Sequence, residues 1–245
     1  MDDALIYLII IISALLAGAI KSVAGFGAGV ILLLVLSQFY DVITSATLNQ
    51  AICTALPVIM ALQYRKYIEW KKVVLPGVCF IAASVVTIRL VKNIDLTWLG
   101  VMLGVFLVLL SLYYLFWAKN IRIEPTPLIA VAFGLVSGVL SGLFSVGVTL
   151  MAVYFLAVTE DRNHYMADLQ SVMAVSSIIS LATRISSGFY RGSMVLPTVF
   201  GIAGVLVGLQ LGRGIAGRLD AGKINRFIYI LVGLTGIETI IKQLI

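Results

Sequence analysis

The sequence predicts an all-α polytopic membrane protein made of two inverted repeats, each a glycine-broken helical hairpin followed by three transmembrane helices. Three observations lead to this fold class: composition, a repeated order of apolar segments, and the distribution of positive charge. The 245 residues are 61% hydrophobic and only 11% charged, whereas a soluble domain carries roughly 25% charged residues to keep its surface wetted. Most of the chain therefore has no polar surface for water, and we expect it to lie in a lipid bilayer.

The composition also argues against other classes of protein. We attribute the net charge of +6 to basic residues in cytoplasmic loops. The sequence contains no basic patch interleaved with aromatic residues that would indicate binding to nucleic acid. The two cysteines, Cys53 and Cys79, form no C-x-x-C pair and no ligand set with the single His164. We therefore expect no disulfide scaffold, no metal site and no cofactor.

Apolar segments follow one another in the same order in two halves of the chain. The first half contains 4–20, a glycine-rich stretch at 21–29, a short run to 39, and then 42–64, 73–90 and 96–117. The second half contains 128–143, a break at 144–147, a short run to 158, and then 171–189, 195–211 and 227–245. This order divides the chain into a first transmembrane repeat at 1–117, a linker at 118–127 and a second transmembrane repeat at 128–245.

Short stretches of sequence also correspond between the halves. Residues 27–33 occupy the place of 145–151, so Gly29 aligns with Gly147, and Gln50 aligns with Gln170. Pro76 and Pro197 end a shared Val-Leu-Pro triplet. Duplicated halves are typical of secondary transporters.

The second segment of each half is too short to cross a bilayer. About a dozen residues reach ~18 Å as a helix, against ~30 Å of hydrocarbon. We therefore expect the chain to enter, break at the glycines near mid-depth, and return to the side it came from.

The distribution of positive charge supports these hairpins. Of the 17 Lys and Arg residues, Lys21 and Arg184 lie inside apolar segments. With two hairpins, eleven of the other fifteen fall on one side and four on the opposite side, whereas single crossings would give eight and seven. Because basic residues concentrate in cytoplasmic loops, the sequence favours inverted halves in the cell membrane, with both termini outside the cytoplasm.

Each glycine break is a candidate binding site, because non-helical backbone at membrane depth must be buried in protein or line a cavity. The half-helix after each break begins with N–H groups that have no intrahelical partner, and the positive end of its dipole favours an anion. We expect the two ends to face each other near the midplane, although glycine and serine also suit close helix packing. The candidate substrate-binding residues are Lys21, Ser22, Gly25, Gly27, Gly29, Asn49, Gln50, Ser141, Ser145, Gly147, Thr149, Gln170 and Arg184.

The polar candidates within apolar segments each carry an alternative. Lys21 is expected to neutralise an anionic substrate, because its burial is otherwise costly; snorkelling to the interface is its alternative. Arg184 is either a second cationic contact or a residue near a helix end that snorkels. Asn49, Gln50 and Gln170 either hydrogen-bond substrate oxygens or join helices.

The acidic residues are better explained by structural roles than by roles in transport or catalysis. Glu238 and Lys242 have the spacing of a helical ion pair. Asp41 and Asp168 flank the third segments, where a carboxylate is favourable at a helix start, and proton coupling through either is left open. His164 and Asp168, four residues apart, offer the alternative of an integral membrane enzyme, but no nucleophile elbow or metal-binding motif accompanies them.

The glycine breaks also carry a resemblance to a known family. Residues 17–29 and 138–147, about 120 residues apart, resemble the paired glycine motifs of the TauE/SafE sulfite exporter family, and the resemblance spans essentially the whole chain. It implies a multi-pass transporter for small sulfur-containing anions. It also implies a substrate region that contains Gly25, Gly27, Gly29, Ser145 and Gly147. Compared with the family's denser glycine triplets, Ala28 interrupts the first motif and Ser145-Val146 replace glycines in the second.

Together, the residues and the resemblance predict a secondary transporter that moves sulfite, sulfoacetate or another organosulfonate by alternating access. The substrate is expected near the midplane, between opposed half-helix N-termini and Lys21. Another small oxyanion or carboxylate, and the membrane enzyme, stay open as alternatives. The expected partners are the anionic substrate and the lipid bilayer, without nucleic acid; a coupling proton or Na⁺ and a homodimer are left open.

Overall fold

The computed structural model describes residues 3–116, 126–215 and 221–244, which form eleven α-helices. The first half contains α1 (Asp3–Ala24), α2 (Ala28–Leu36), α3 (Val42–Cys53), α4 (Ala55–Tyr64), α5 (Trp70–Leu90) and α6 (Leu96–Phe116). The second half contains α7 (Pro127–Phe144), α8 (Val148–Val158), α9 (Arg162–Ser186), α10 (Val195–Ile215) and α11 (Ala221–Leu244). All but the last two residues of the predicted linker lie outside the described residues.

Seven helical segments of the described chain are long and apolar enough to cross a membrane, with α3 and α4 forming one of them. The prediction of an all-α polytopic membrane protein is confirmed. The helices α2 and α8 contain only 9 and 11 residues, or ~14 and ~17 Å at 1.5 Å per residue. They are the short second segments that the sequence predicted.

The helices α1 and α9 are among those that extend beyond their predicted apolar segments, because their last or first turns are polar. The helix α1 continues through Lys21 to Ala24, so the first break is confined to a few residues. With 22 residues it reaches ~33 Å, which is longer than the first arm predicted for the hairpin. The helix α9 begins at Arg162, nine residues before the predicted apolar start at 171.

The aspartates Asp41 and Asp161 precede α3 and α9 at corresponding places and cap both helices. Asp41 Oδ1 accepts the Thr44 N–H at 2.9 Å, and Asp161 Oδ1 accepts the His164 N–H at 3.0 Å. The backbone N–H of His164 is the main reason that the pKa of Asp161 lies below its ordinary value. The predicted helix start is thus correct for Asp41 but wrong for Asp168, which lies in the second turn of α9.

The first helix of each half packs alongside the fourth apolar segment of the other half. The helix α1 runs parallel to α10, with Gly204, Gly208 and Gly212 against the backbone of residues 11, 15 and 19. The helix α7 runs parallel to α5, with Gly134, Gly138 and Gly142 against residues 76, 80 and 84. Glycines at four-residue spacing let both pairs of backbones approach closely. Gly138 and Gly142, in the second glycine motif, are therefore packing residues.

Two further pairs of helices run antiparallel. In α6 and α11, Gly100 lies against Gln243, and Gly233 lies against Ser111. In the α3–α4 segment and α9, the side chains of Thr47 and Gln50 reach residues 184 and 177 respectively. In the last turn of α11, Lys242 forms the predicted ion pair with Glu238, with 2.7 Å between Lys242 Nζ and Glu238 Oε1.

Each short helix folds back along the first helix of its own half. The Tyr154 ring of α8 lies 5.7 Å from the Phe133 ring of α7, measured between centroids. In the first half, Tyr7 near the start of α1 and Tyr40 after α2 line one cavity of about 480 Å³. Both hairpins therefore end on the side of the protein where they began.

Candidate functional site

The first break turns on two glycines that adopt positive φ angles. Gly25 has φ +81° and Gly27 has φ +94°, a region that glycine enters without steric penalty. The Gly25 N–H donates to the Lys21 carbonyl at 2.7 Å, and the Gly27 carbonyl accepts the Val30 N–H at 3.1 Å. The chain thus ends α1 and begins α2 within three intervening residues.

The second break reaches a similar turn with a different residue. Ser145, which aligns with Gly27, has φ +59° and ψ +28°, a left-handed conformation that is accessible to L-residues at some cost. Its hydroxyl donates to the Ala46 carbonyl at 2.8 Å, which anchors the break to α3. Gly147 begins α8 with an ordinary φ of −59°. Glycine is needed there because the position lies tightly against Ser137 and Ser141 of α7.

The two breaks meet in the interior of the protein. A Cβ atom on Gly29 would lie 3.2 Å from the Ser145 carbonyl oxygen. The buried Asn49 side chain joins the breaks, because its Nδ2 donates to the Gly29 carbonyl at 2.9 Å and to the Ser145 carbonyl at 3.5 Å. Asn49 therefore holds the breaks in position through both of its amide hydrogens.

A small cavity of about 50 Å³ lies between the breaks and the long helices α3, α4 and α9. It is far below the ~300–1,000 Å³ of pockets that enclose drug-sized ligands. Six predicted site residues line it: Lys21, Gly27, Gly29, Gln50, Ser141 and Ser145. Elements from both halves thus line one cavity.

Lys21 brings a positive charge to this cavity. Its side chain is 6% exposed, and none of its neighbours in the described chain forms an ion pair or hydrogen bond with it. A buried charge is unfavourable unless a partner of opposite charge or a hydrogen-bond acceptor compensates it. The cavity is therefore suited to a negatively charged solute beside Lys21.

A comparison of the sequence with family models identifies the family of this chain. A model of the family described as sulfite exporter TauE/SafE matches residues 10–239, which is nearly the whole chain. The chain belongs to the TauE/SafE sulfite exporter family. The resemblance drawn from the glycine motifs is thereby confirmed. No curated protein and no solved structure matches the chain.

TauE/SafE membership decides between the broad function classes. The family consists of membrane transporters of sulfite or related anions and is not a family of enzymes. The geometry around His164 agrees, because its Nδ1 lies 2.7 Å from Asp161 Oδ2, while Asp168 accepts a hydrogen bond from the Glu69 backbone. The base-and-carboxylate pair proposed from the spacing of His164 and Asp168 does not form.

In this TauE/SafE protein Arg184 supports the second break from outside the cavity. Its Nη2 donates to the Gly142 carbonyl at 2.7 Å and to the Ser141 carbonyl at 3.4 Å, and Nη1 donates to Thr47 Oγ1 at 3.4 Å. These carbonyls end α7, where a cation is favoured by the helix dipole. Arg184 has no exposed surface, so the snorkelling alternative is wrong.

Other predicted residues surround the cavity without lining it. Gln170 Nε2 donates to the Gly25 carbonyl at 2.6 Å and thereby fixes the first break. Ser22 donates to the Ala19 carbonyl at 2.7 Å and faces Gly212 of α10, away from the cavity. Thr149 is fully buried on α8. Gly25, Asn49, Gly147 and Arg184 complete the set that shapes the breaks.

Several cavity residues were missed by the sequence analysis, although helical spacing carried the signal. Cys53 and Pro57 line the cavity three and seven residues after Gln50. Met173 and Ser177 do so three and seven residues after Gln170. Positions i, i+3 and i+7 share one helix face, so extending each glutamine along its helix would have found them.

Pro57 also shapes the long segment that faces the breaks. Proline has no N–H, so it cannot donate to the carbonyl four residues earlier, and its ring crowds that carbonyl. The affected carbonyl belongs to Cys53, where α3 ends. The segment is therefore interrupted at the level of the cavity.

Proposed function

We propose that this TauE/SafE protein is a secondary transporter that moves sulfite, sulfoacetate or another organosulfonate across the cytoplasmic membrane. The anion lies between the two breaks, next to Lys21 and the first turns of α2 and α8. The observation that carries the proposal is the buried Lys21, which has no partner among the described residues and lies in a cavity formed by both halves.

The remaining polar groups around the cavity favour an oxyanion. The Ser141 hydroxyl and the Gln50 amide are hydrogen-bond donors, whereas the hydroxyls of Ser145 and Ser177 already donate to backbone carbonyls. No carboxylate is among the described lining residues. The starts of α2 and α8 add N–H groups that have no intrahelical acceptor. A cation would find few acceptors here, whereas sulfonate or sulfite oxygens would each find a donor.

The directions of the helices support inverted halves and alternating access. The corresponding helices α6 and α11 run antiparallel, and so do the α3–α4 segment and α9. A duplication with parallel halves would make both pairs parallel. When inverted halves surround a central site, each half can adopt the conformation of the other. This exchange opens the site to the two sides of the membrane alternately. With the charge distribution, they also favour termini outside the cytoplasm.

The test combines ligand-dependent stabilisation with transport. Purified protein is screened by thermal shift against sulfite, sulfoacetate, taurine, sulfate and acetate, and the best ligands are then followed in proteoliposomes. We expect Lys21→Ala to weaken binding roughly 10- to 150-fold, as for loss of a hydrogen bond to a charged group, and to abolish transport at low substrate concentration.

Lys66→Ala is the matched control, since Lys66 is exposed after α4. It should bind and transport as the wild-type protein does. Undiminished transport by Lys21→Ala would remove Lys21 from the site. Stabilisation by acetate but by none of the sulfur anions would instead assign the protein a carboxylate substrate.

A further inference from the structure

We propose that Asp168 is the proton-binding carboxyl of this transporter, and that one proton bound there travels together with the anion. The inference rests on the proposed function and names its coupling ion. It arises from a buried carboxylate with an unused oxygen, located on the helix that also holds the first break.

The Asp168 carboxylate is fully buried and only half satisfied. Its Oδ1 accepts the Glu69 backbone N–H at 2.8 Å. Its Oδ2 is buried and has no hydrogen-bond partner among the described residues. An ionised carboxylate with an unpaired buried oxygen is unfavourable, and protonation of Oδ2 removes that charge. Ionisable groups in such positions mark ion pathways in membrane proteins.

The neighbouring charges neither neutralise Asp168 nor occupy its free oxygen. At the start of α5, Lys72 Nζ pairs with Glu69 Oε2 at 2.7 Å. Within the described chain, the groups in electrostatic range of Asp168 include Glu69 and Lys72 from that element, Tyr154 from α8, and His164 from its own helix. Lys72 is thus already engaged by Glu69, and a proton on Oδ2 can supply the counter-charge.

Titratable groups in the electrostatic surroundings of Asp168 extend to the surface. His164 lies one turn before Asp168 on α9, with its side chain 34% exposed. Its Nδ1 lies 2.7 Å from Asp161 Oδ2, and its Nε2 lies 3.9 Å from Glu69 Oε1. These groups can relay protons between water and the interior at the side where α9 begins.

The same stretch of α9 contacts the substrate site. Two residues after Asp168, Gln170 holds the Gly25 carbonyl at 2.6 Å, and Met166 lies against Gly25. Met173, less than two turns after Asp168, lines the cavity. An ionised Asp168 weakens the binding of an anion in that cavity by electrostatic repulsion, and a protonated Asp168 does not. By linkage, a bound anion raises the proton affinity by the same factor, so proton and anion are expected to bind together.

A purely structural role for Asp168 predicts a different outcome from the proton-binding role. In Asp168→Asn the amide oxygen still accepts the Glu69 N–H, but the side chain no longer titrates. Anion exchange should therefore survive, because it needs no net proton movement. Accumulation driven by a pH gradient should be lost.

The experiment follows labelled sulfoacetate in proteoliposomes, with the membrane potential clamped. Between about pH 6 and pH 8 both acid groups of sulfoacetate are ionised, so any proton movement belongs to the protein. With the interior one unit more alkaline, wild-type protein should accumulate sulfoacetate up to about tenfold, the limit for one proton. Asp168→Asn should exchange within about threefold of wild type and accumulate nothing above the level without a gradient. Glu160→Gln, which alters an exposed carboxylate outside this group of residues, should accumulate as wild type does.

Each outcome is decisive. Absence of sulfoacetate exchange by the wild-type protein would overturn the proposed function for this substrate and the inference with it. Normal exchange without a response to the pH gradient, accumulation on the acidic side, accumulation driven by Na⁺, or full coupling in Asp168→Asn would overturn the inference alone. If Asp168→Asn does not exchange, the pH dependence of sulfoacetate binding to wild-type protein decides. Binding that tightens about tenfold as the pH falls from 8 to 6 supports the inference, and a flat profile contradicts it.

Discussion

The first and second breaks share a backbone course but differ in the side chains that hold it. Gly27 and Ser145 occupy aligned positions, and both have positive φ angles. Glycine meets the requirement through its lack of a side chain, whereas serine meets it with a hydroxyl bonded to α3. The two breaks thus resemble each other more in the path of the chain than in residue type.

The two buried cations show the same division. Lys21 at the first break lines the cavity and has no partner in the part of the chain that the structure describes, whereas Arg184 at the second break donates to the carbonyls of α7. The aligned glutamines differ likewise, since Gln170 holds Gly25 and Gln50 lines the cavity. One break therefore supplies charge for a ligand, and the other is fixed by the protein itself.

The largest expected difference between the breaks concerns the aligned glycines that start α8 and α2. A Cβ on Gly147 would lie 2.8 Å from the Ser141 backbone nitrogen, while a Cβ on Gly29 would approach the Ser145 carbonyl oxygen to 3.2 Å. Overpacking against backbone is expected to lower the free energy of unfolding by about 3 kcal/mol in Gly147→Ala. Gly29→Ala should lower it by about 1 kcal/mol or less. Thermal unfolding in detergent measures both, and an equal loss would show that the breaks are equally tight.

The two cations should give stability changes of opposite sign. Arg184→Met leaves the Gly142 carbonyl unpaired, and we expect a loss of about 2–3 kcal/mol. Lys21→Met removes a buried charge without a partner, so it should raise the free energy of unfolding by about 1–2 kcal/mol. It should also abolish stabilisation by sulfite or sulfoacetate. If both variants are destabilised alike, Lys21 has a structural partner and the contrast between the breaks fails.

The smallest contrast concerns the aligned glutamines. Gln170→Leu loses a 2.6 Å bond to Gly25, which is worth about 1 kcal/mol. Gln50→Leu loses two contacts of 3.4 Å, so its stability should change by less than about 0.5 kcal/mol. Its ligand affinity should fall several-fold, whereas Gln170→Leu should act mainly on stability. Parallel measurements of melting temperature and ligand affinity separate these effects, and a reversed order would exchange the roles of the two glutamines.

The sequence predicted well those features that depend on local composition and spacing. Apolar length, glycine breaks and the basic residues of polar connections identify a polytopic helical protein, and the spacing of Glu238 and Lys242 identifies their ion pair. The six predicted residues that line the cavity were found because unusual residue types sat inside apolar segments.

The remaining features depend on contacts between residues that are far apart in sequence. Nothing near Arg184 reveals that its charge is directed at the carbonyls of residues 141 and 142. Nothing near Asp168 reveals that the Glu69 backbone lies beside it. Glycines that adopt positive φ and glycines that permit close packing also look alike in sequence, so Gly25 and Gly138 were distinguished only by the fold.

The crossed pairing of α1 with α10 and of α5 with α7 bears on how the protein is made. Neither half can cover the small-residue face of its own first helix, because the surface that covers it belongs to the other half. During synthesis the amino-terminal half therefore has an unfilled groove along α5 and an uncovered face on α1 until the second half is inserted into the bilayer. The face of α1 is covered only when α10, in the last fifth of the chain, has been inserted.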